Sequence, residues 1–297
     1  MTFQDELATS PLVLDGGMAT SLEELGHDLS GHLWSAKILL EDPAAIFQVH
    51  QNHIAAGADV ITTASYQISN YGFAKIGRSN ADVQTAIKSS VELARRAADQ
   101  ADRKIWVAAS IGPYGAVLAD GSEYRGDYKI SYSELRTFHL ERLKIFADSE
   151  PDLFAFETIP CQLEIDVIND ILQTEFTTAE AWISVSARNE SEISDGTDIK
   201  NVFDNMAANV VAVGVNCTKP EFITPLIQRI ESSLPKVVYP NAGRTWDAKS
   251  RCWLDAGTNR IAESELRSWV LAGARLIGGC CGLAEAQIET VAKALSA

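Results

Sequence analysis

The sequence predicts an α/β fold, a single (β/α)8 TIM barrel that spans residues 1–297. Short runs of β-branched and aromatic residues alternate with segments of helical period along the whole chain, which is typical of βαβ units around a parallel sheet. About eight such units fit into 297 residues, whereas an open doubly wound sheet usually has fewer strands. No linker rich in Pro, Gly or Ser interrupts this alternation, so we expect one domain.

The eight predicted strands are rich in Val, Ile or aromatic residues. They are Leu12–Asp15, Val60–Tyr66, Ile105–Ile111, Leu153–Thr158, Trp182–Ala187, Val210–Cys217, Val237–Asn241 and Arg275–Cys280. The predicted helices are Ala44–Ala56, Ala81–Ala98, Tyr132–Asp148, Gln162–Leu172, Ile199–Ala207, Glu221–Ser232, Glu263–Ala272 and Ala284–Ala294. Gly57 and Gly273 follow two of these helices, where a left-handed C-cap is expected. The longer insertions Gly112–Lys129 and Arg244–Arg260 follow the third and seventh strands, and loops there lie over the catalytic mouth of a barrel.

The composition is that of an ordinary soluble protein, with 46% hydrophobic and 22% charged residues. The formal net charge of -15 repels phosphate backbones and anionic membranes, so we expect no nucleic-acid partner. No apolar run approaches the roughly 20 residues of a membrane span, and the first residues are polar rather than signal-like. We therefore expect a cytosolic protein. Five cysteines, an odd number, do not resemble a disulfide framework, so they indicate thiolate chemistry or metal binding.

Polar residues follow most of the predicted strands at their carboxyl ends, where a barrel holds its reacting groups. These strand-end residues are Asp15-Gly16-Gly17, Thr62-Thr63-Ala64-Ser65-Tyr66, Glu157-Thr158, Asn216-Cys217, Asn241 and Gly279-Cys280-Cys281. In a barrel, all of these ends converge on one pocket. The sequence therefore predicts an active site at the mouth.

Three of the cysteines predict a metal site. Cys217 ends the sixth strand and the pair Cys280-Cys281 ends the eighth, and these strands flank the seventh. Zinc is the metal that three thiolates favour, and three protein ligands leave a fourth tetrahedral position open, as in catalytic zinc sites. Two alternatives remain at this point: ordinary buried thiols, and a strained vicinal disulfide between Cys280 and Cys281.

Several motifs over nearly the whole chain resemble the homocysteine S-methyltransferase family, and most closely its bacterial members that use S-methylmethionine. The motifs are Asp15-Gly16-Gly17, Leu33-Trp34-Ser35-Ala36-Lys37, Thr63-Ala64-Ser65-Tyr66-Gln67, Gly112-Pro113-Tyr114-Gly115, Asp120-Gly121-Ser122-Glu123-Tyr124-Arg125-Gly126-Asp127-Tyr128, Phe156-Glu157-Thr158, Gly214-Val215-Asn216-Cys217, Tyr239-Pro240-Asn241 and Gly278-Gly279-Cys280-Cys281-Gly282. The resemblance implies a (β/α)8 barrel that methylates homocysteine with the help of bound zinc.

The resemblance also implies roles for individual residues. The three cysteines that bind zinc in the family correspond to Cys217, Cys280 and Cys281. The residues that hold the amino-acid end of homocysteine correspond to Asp15, Gly16, Thr63 and Glu157. By resemblance to a related barrel, the side-chain oxygen of Asn241 fills the fourth zinc position until the substrate thiol displaces it.

The methyl donor is expected to be a small sulfonium compound, S-methylmethionine or S-adenosylmethionine, because the chain is too short for cobalamin and folate modules. An aromatic lining with a nearby carboxylate would bind such a cation. The candidate aromatic residues are Trp34, Tyr66, Tyr114 and Tyr124. The sequence departs from close relatives at Arg244 and at Gly282-Leu283, and these departures bear on the choice of donor.

Other functions fit parts of the same pattern. A non-catalytic thiol redox or zinc-holding barrel would use the three cysteines, but it would not need Asp15, Thr63 and Glu157 at the same mouth. A methyltransferase for another thiol, or for a selenol such as selenocysteine, is an alternative that sequence does not separate from a homocysteine enzyme.

The remaining histidines and cysteines suggest no chemistry. His50 and His53 lie three residues apart on a predicted helix without an HExxH frame, so we expect surface or packing residues. Cys161 is expected to be a buried or semi-exposed thiol, and Cys252 is unassigned.

Overall fold

The computed structural model describes residues 2–29, 35–243, 246–247, 252–253 and 260–296, and it contains an eight-stranded parallel sheet. In chain order the strands of this sheet are β1 (Leu12–Val13), β2 (Val60–Thr62), β3 (Trp106–Ile111), β4 (Leu153–Ile159), β5 (Ala181–Val185), β6 (Val210–Asn216), β7 (Lys236–Tyr239) and β10 (Ala274–Ile277). Their order across the sheet is β1-β10-β7-β6-β5-β4-β3-β2. A parallel bridge between Leu14 and Val60 joins the two outer strands, so the predicted (β/α)8 barrel is confirmed.

Helices surround the barrel. They are α1 (Phe3–Thr9), α2 (Met18–Glu24), α3 (Ser35–Glu41), α4 (Pro43–Ala55), α5 (Asn70–Lys75), α6 (Asn80–Ala98), α7 (Tyr114–Leu118), α8 (Tyr132–Ala147), α9 (Gln162–Thr174), α10 (Pro220–Arg229), α11 (Glu263–Leu271) and α12 (Glu285–Leu295). Among the described helices, none combines the length and apolarity that crossing a membrane requires. Gly57 and Gly273 adopt positive φ angles of 109° and 95°, as predicted for the ends of two helices.

One predicted helix, Ile199–Ala207, is wrong. The structure has only a 3-10 turn there, Ile199–Asn201, which begins where Asp198 accepts a hydrogen bond from the Lys200 amide. Asn205 then adopts a left-handed conformation with φ of 55°, which a right-handed helix cannot include. The short helices α1, α2, α3, α5 and α7 are absent from the sequence prediction, since segments this brief carry little periodic signal.

The barrel interior is closed at its amino-terminal end, which leaves the carboxyl-terminal end for the site. Helix α1 inserts Phe3 against Trp106 with ring centroids 5.2 Å apart, and the Trp106 indole donates to Glu6 at 2.9 Å. Trp182 is fully buried in the same interior cluster. Side chains alternate along each strand between this cluster and the larger one under the helices, so both faces of the sheet are buried.

Both long insertions follow the predicted strands. Residues 112–129 form α7 and a 3-10 turn, Ser122–Tyr124, above the mouth of the barrel. Residues 244–260 lie mostly outside the described residues, apart from a short antiparallel pair, β8 (Trp246–Asp247) and β9 (Cys252–Trp253).

Candidate metal and substrate site

A cavity opens at the carboxyl ends of the strands, where the sequence predicts the active site. Its described lining consists of Asp15, Gly16, Gly17, Met18, Ala19, Thr20, Ser35, Thr62, Thr63, Ala64, Tyr66, Gln67, Ser110, Glu123, Tyr124, Glu157, Thr158, Cys217, Tyr239, Gly279, Cys280 and Cys281. None of these residues is Lys, Arg or His, whereas three are carboxylic acids and three are cysteines. The cavity is therefore suited to cationic groups.

The three predicted cysteines lie together in this cavity, and their sulfurs are all within 4.8 Å of one another. Sγ of Cys281 lies 3.7 Å from Sγ of Cys217 and 3.9 Å from Sγ of Cys280. A tetrahedral zinc ion with bonds of about 2.3 Å requires ligand sulfurs about 3.8 Å apart, so the spacing fits that ion. Cys280 and Cys281 are not disulfide-bonded, since bonded sulfurs would be about 2.05 Å apart.

Backbone contacts at two strand ends bring the cysteines together. Cys217 adopts a positive φ of 45°, and its amide donates to the carbonyl of Tyr239 on the next strand. The amide of Cys280 donates to the carbonyl of Pro240. Gly278 permits this turn, because a Cβ there would lie 2.6 Å from the carbonyl oxygens of Leu14 and Asp15.

The thiols also influence one another's ionisation. Hydrogen bonds with Cys280 and Cys281 hold the pKa of Cys217 well below its usual range, and a hydrogen bond with Tyr124 adds to this effect. The same interactions raise the pKa of Cys280 and of Cys281. A cluster of this kind ionises one thiol first, and a bound cation favours the thiolate form of all three.

Asn241 lies beside the cysteines, and its side chain forms hydrogen bonds with the backbone. Its Nδ2 donates to the carbonyl of Cys217 at 3.0 Å, and its Oδ1 accepts from the amide of Gly243 at 2.8 Å. The side-chain amide thus braces the left-handed turn at Cys217. Its role as a fourth metal ligand stays a prediction.

The four residues predicted to hold the amino-acid end of homocysteine all line the cavity. Asp15 accepts hydrogen bonds from the amide of Thr62 at 2.7 Å and from its hydroxyl, and burial raises the pKa of Asp15 well above its usual range. Thr63 Oγ1 accepts from the amide of Ser110 and pairs with Ser65 Oγ at 2.6 Å. Gly16 lets the backbone pack closely at the cavity wall, because a Cβ there would lie 2.8 Å from the carbonyl oxygen of Leu283.

Glu157 is the second predicted carboxylate in the cavity. One oxygen accepts a hydrogen bond from the Ser110 hydroxyl. Burial raises the pKa of Glu157 to about 7, although hydrogen bonds from Ser110 and Tyr239 oppose the rise. A cation beside this carboxylate would stabilise its charged form.

The predicted aromatic residues divide into three cases. Tyr66 and Tyr124 line the cavity, and the hydroxyl of Tyr124 lies 3.2 Å from Sγ of Cys217. Tyr114 lies elsewhere: its ring packs edge-on against Tyr128 and Phe138 with centroids 5.5 Å and 5.3 Å away. Tyr114 therefore does not contribute to the described cavity wall. Trp34 lies outside the described residues.

Two residues near the substrate site have no role in the sequence prediction. Glu123 lines the cavity although only 4% of its surface is exposed, and the one signal for it is its place in the 120–128 motif. His53 lies behind Asp15, with Nδ1 3.9 Å from Oδ2 of Asp15 and Nε2 3.1 Å from Oγ of Ser21. His53 and His50 are fully buried, so they are packing residues and not surface residues.

Among the described residues, Cys161, Gly282 and Leu283 are not part of the cavity lining. Cys161 is a buried thiol that contacts the Tyr128 hydroxyl at 3.5 Å, and burial raises its pKa to about 12. Gly282 adopts a left-handed conformation with φ of 82°, and Leu283 is fully buried. The side chains of Cys252 and Arg244 lie outside the described residues.

Buried polar contacts attach the 112–129 insertion to the barrel. Glu164 of α9 is fully buried and accepts hydrogen bonds from the Tyr114 amide at 2.7 Å and from the Tyr128 hydroxyl. His139 lies 2.7 Å from the same carboxylate, and Arg142 donates to the carbonyl of Gly112. These contacts determine where the insertion presents the residues that it contributes to the cavity.

Comparisons with known proteins find relatives that match almost the whole chain. A family model described as homocysteine S-methyltransferase matches residues 12–295. The chain is 45% identical to Homocysteine S-methyltransferase YbgG of Bacillus subtilis, across 97% of this chain and 96% of that protein. It is 39% identical to a selenocysteine Se-methyltransferase of Brassica oleracea, across 95% and 88%. The metallated crystal structure of the homocysteine methyltransferase MmuM of Escherichia coli superposes with a TM-score of 0.86 at 40% identity, over 97% of this chain and 98% of that chain.

Proposed function

The chain belongs to the homocysteine S-methyltransferase family, and we propose that it transfers a methyl group from a sulfonium donor to the sulfur of homocysteine, which yields methionine. The observation that carries the proposal is the position of the three cysteine sulfurs, which face a cavity whose described lining also presents carboxylates and no cationic side chain. Homocysteine brings an ammonium and the donor brings a sulfonium, so the ligands supply the positive charges that the cavity lacks.

We propose that Cys217, Cys280 and Cys281 hold a zinc ion. The sulfur spacing of 3.7 Å and 3.9 Å and the all-thiolate donor set support zinc. Zinc bound there would keep the homocysteine sulfur deprotonated at neutral pH, whereas a free thiol with a pKa near 8.5 is mostly protonated. Oδ1 of Asn241 accepts one hydrogen bond from the Gly243 amide, which leaves its second lone pair for a metal.

Glu157 is the proposed partner of the homocysteine ammonium. Ser110 and Tyr239 orient it, and it lines the same cavity as the three sulfurs. Asp15, whose oxygens are already bonded to Thr62, is proposed to position this end of the site together with Gly16 and Thr63.

The proposed reaction is a single displacement at carbon. A lone pair of the homocysteine sulfur forms the new bond to the methyl carbon, and the bond from that carbon to the sulfonium sulfur breaks. Its electron pair stays on the donor sulfur, which becomes a neutral thioether, and the thiol proton of homocysteine goes to solvent. With S-methylmethionine as donor, both products are methionine. The protein's part is to align the two sulfurs and exclude water.

An assay of methionine formation tests the proposal. The purified protein is incubated with homocysteine and either S-methylmethionine or S-adenosylmethionine, with and without a chelator. We expect methionine from at least one donor, and loss of activity when the chelator removes the metal. A zinc-loaded protein that forms no methionine from either donor would contradict the proposal.

A selenol is the second candidate acceptor. The similarity to the selenocysteine Se-methyltransferase of Brassica oleracea supports it, because that relative aligns with 95% of this chain at 39% identity. Selenocysteine is one methylene shorter than homocysteine, and its selenol is more acidic. Comparing kcat/KM for the two acceptors with one donor decides between them. A non-catalytic zinc-holding barrel is less well supported, since it would not use the carboxylates that line the cavity.

A further inference from the structure

We propose that Glu123 binds the positively charged sulfonium centre of the methyl donor, and that it thereby selects the sulfonium over neutral thioethers. This inference rests on the proposed function, and it names the residue on which recognition of the donor depends. Glu123 lies in the 3-10 turn of the insertion that follows β3.

The carboxylate of Glu123 is buried, and one of its two oxygens has no hydrogen-bond partner among the described residues. Only 4% of the residue is exposed, and the oxygen in question is Oε2. Burying an ionised carboxylate alone is costly, and such groups are normally paired. Since Glu123 lines the cavity, a cationic ligand in the cavity would supply the missing partner.

No protein cation of the described structure fills this role. The nearest in sequence is Arg125, whose guanidinium contacts Asp127 at 3.2 Å, the Asp120 carbonyl at 2.9 Å and the Ser122 hydroxyl at 3.1 Å. These contacts turn it to the surface of the insertion, where it is about half exposed. Glu123 therefore remains available to a ligand.

The backbone of Glu123 is held firmly, so its carboxylate is preorganised. Its carbonyl accepts a hydrogen bond from Ser186 Oγ at 2.8 Å. Gly115 packs directly on the turn, since a Cβ there would lie 2.7 Å from the Glu123 amide nitrogen. A carboxylate held in place by the fold loses little entropy when the ligand binds.

The position of Glu123 matches the sulfonium better than the homocysteine ammonium. The next residue, Tyr124, contacts the sulfur of Cys217, so this turn lies beside the cluster where the acceptor sulfur must bind. The methyl group has to be adjacent to that sulfur in the reaction. Tyr66 and Tyr124 line the same part of the cavity and add aromatic surface, which also attracts cations.

The ionisation of Glu123 is consistent with this role. Burial raises its pKa to about 7, although a hydrogen bond from its own backbone amide and the charge of Arg125 oppose the rise. A cation beside the carboxylate would favour the charged form, so binding of a sulfonium would release any proton that the group carries.

The test compares a sulfonium with its neutral thioether in the donor position. With homocysteine saturating, the KM of S-methylmethionine is measured, and methionine is titrated as a competitive inhibitor to give its Ki. Both ligands carry the same ammonium and carboxylate, so the ratio of Ki to KM isolates the sulfonium charge. In the wild-type enzyme we expect a ratio of at least about ten. Equal affinity for the two ligands would overturn the inference without any variant.

The variant Glu123→Gln keeps the shape of the side chain and removes its charge. We expect the KM of S-methylmethionine to rise at least about tenfold, while the Ki of methionine, the zinc content and the KM of homocysteine stay within about twofold. Asp127→Asn is the matched control, because it removes the same charge from the same insertion at a carboxylate that is 66% exposed. This control should leave the ratio unchanged.

Each other outcome overturns the inference. Unchanged affinity for both ligands in Glu123→Gln excludes a role for the charge, whereas an equal loss for both, which also leaves the ratio unchanged, assigns Glu123 to the ammonium or to structure. Loss of zinc assigns it to the metal site.

If only S-adenosylmethionine gives methionine, the same comparison uses S-adenosylhomocysteine as the thioether. Failure of the proposed function is distinct, since it appears as no methionine from any donor.

Discussion

The hydroxyl of Tyr124 lies 3.2 Å from Sγ of Cys217 and joins the insertion after β3 to a cysteine at the end of β6. The two residues are far apart in the chain, and the barrel brings them together because β3 and β6 end at the same mouth. The cysteine cluster and the insertion residues Glu123 and Tyr124 are thus parts of one cavity. The predictions below separate the contributions of its parts.

The three cysteines are expected to be essential for metal binding but not for folding. Cys217→Ala, Cys280→Ala and Cys281→Ala should each lose zinc and activity, because two thiolates do not hold the ion as three do. The barrel core lies below these strand ends, so the fold should survive. Metal analysis should give about one zinc per chain for the wild type and for the control Cys161→Ala. Full zinc occupancy in all three variants would contradict the site.

Glu157→Gln is expected to weaken homocysteine binding by about 1.5–3 kcal/mol, the range for a hydrogen bond to a charged group. The zinc content should stay the same, because the three sulfurs are untouched. Calorimetric titration of the zinc-loaded protein measures the affinity, with the exposed Glu190→Gln as the control for the loss of one charge. If the affinity of Glu157→Gln equals that of the wild type, Glu157 has a structural role only.

Amino-acid binding is also expected to depend on pH through Glu157. Burial raises the pKa of this carboxyl to about 7, so it becomes neutral as the pH falls through that value. A neutral carboxyl attracts an ammonium less strongly, so affinity should fall as the pH is lowered from 8 to 6. Methionine is the suitable ligand because it has no thiol that titrates. The expected dependence is weaker in Glu157→Gln, and an identical profile in both proteins would refute this origin.

Glu164→Gln is expected to destabilise the protein by about 3–5 kcal/mol, the range for breaking a buried charged network. Glu164 is fully buried beside His139 and accepts from the Tyr114 amide, so an amide in its place leaves polar atoms unpaired. Urea unfolding measures the change in the free energy of unfolding. The control Glu175→Gln removes a surface ion pair with Arg136 and should cost no more than about 1 kcal/mol. Similar losses in the two variants would mean that the network contributes little.

S-methylmethionine is expected to be a better donor than S-adenosylmethionine. The 120–128 segment resembles the S-methylmethionine-using members of the family, and it contributes Glu123 and Tyr124 to the cavity. The departures at Arg244 and Gly282-Leu283 act against this expectation, since they could reshape the donor pocket. The comparison is kcat/KM for both donors at saturating homocysteine. A higher value for S-adenosylmethionine would reverse the preference and leave the role of the cysteines intact.

The sequence by itself determined the fold class and the cluster of three cysteines. The two periods of 2 and 3.6 residues are local properties of strands and helices, so their alternation predicts the barrel without any knowledge of packing. The barrel in turn requires that strand ends meet, which places Cys217 beside Cys280 and Cys281. One helix was predicted wrongly at 199–207, because the left-handed turn at Asn205 leaves no mark on the periodicity.

Only the tertiary structure decided how the side chains around this cluster are used. Tyr114 and Tyr124 belong to the same insertion, yet one ring packs against Phe138 and the other side chain contacts Cys217. His53 packs behind Asp15, and Oε2 of Glu123 has no hydrogen-bond partner within the described chain. Side-chain direction and partnership depend on contacts between residues distant in sequence, and a loop's path depends on the surface beneath it. The periodicity of the sequence therefore predicts neither the direction of a side chain nor the path of a loop.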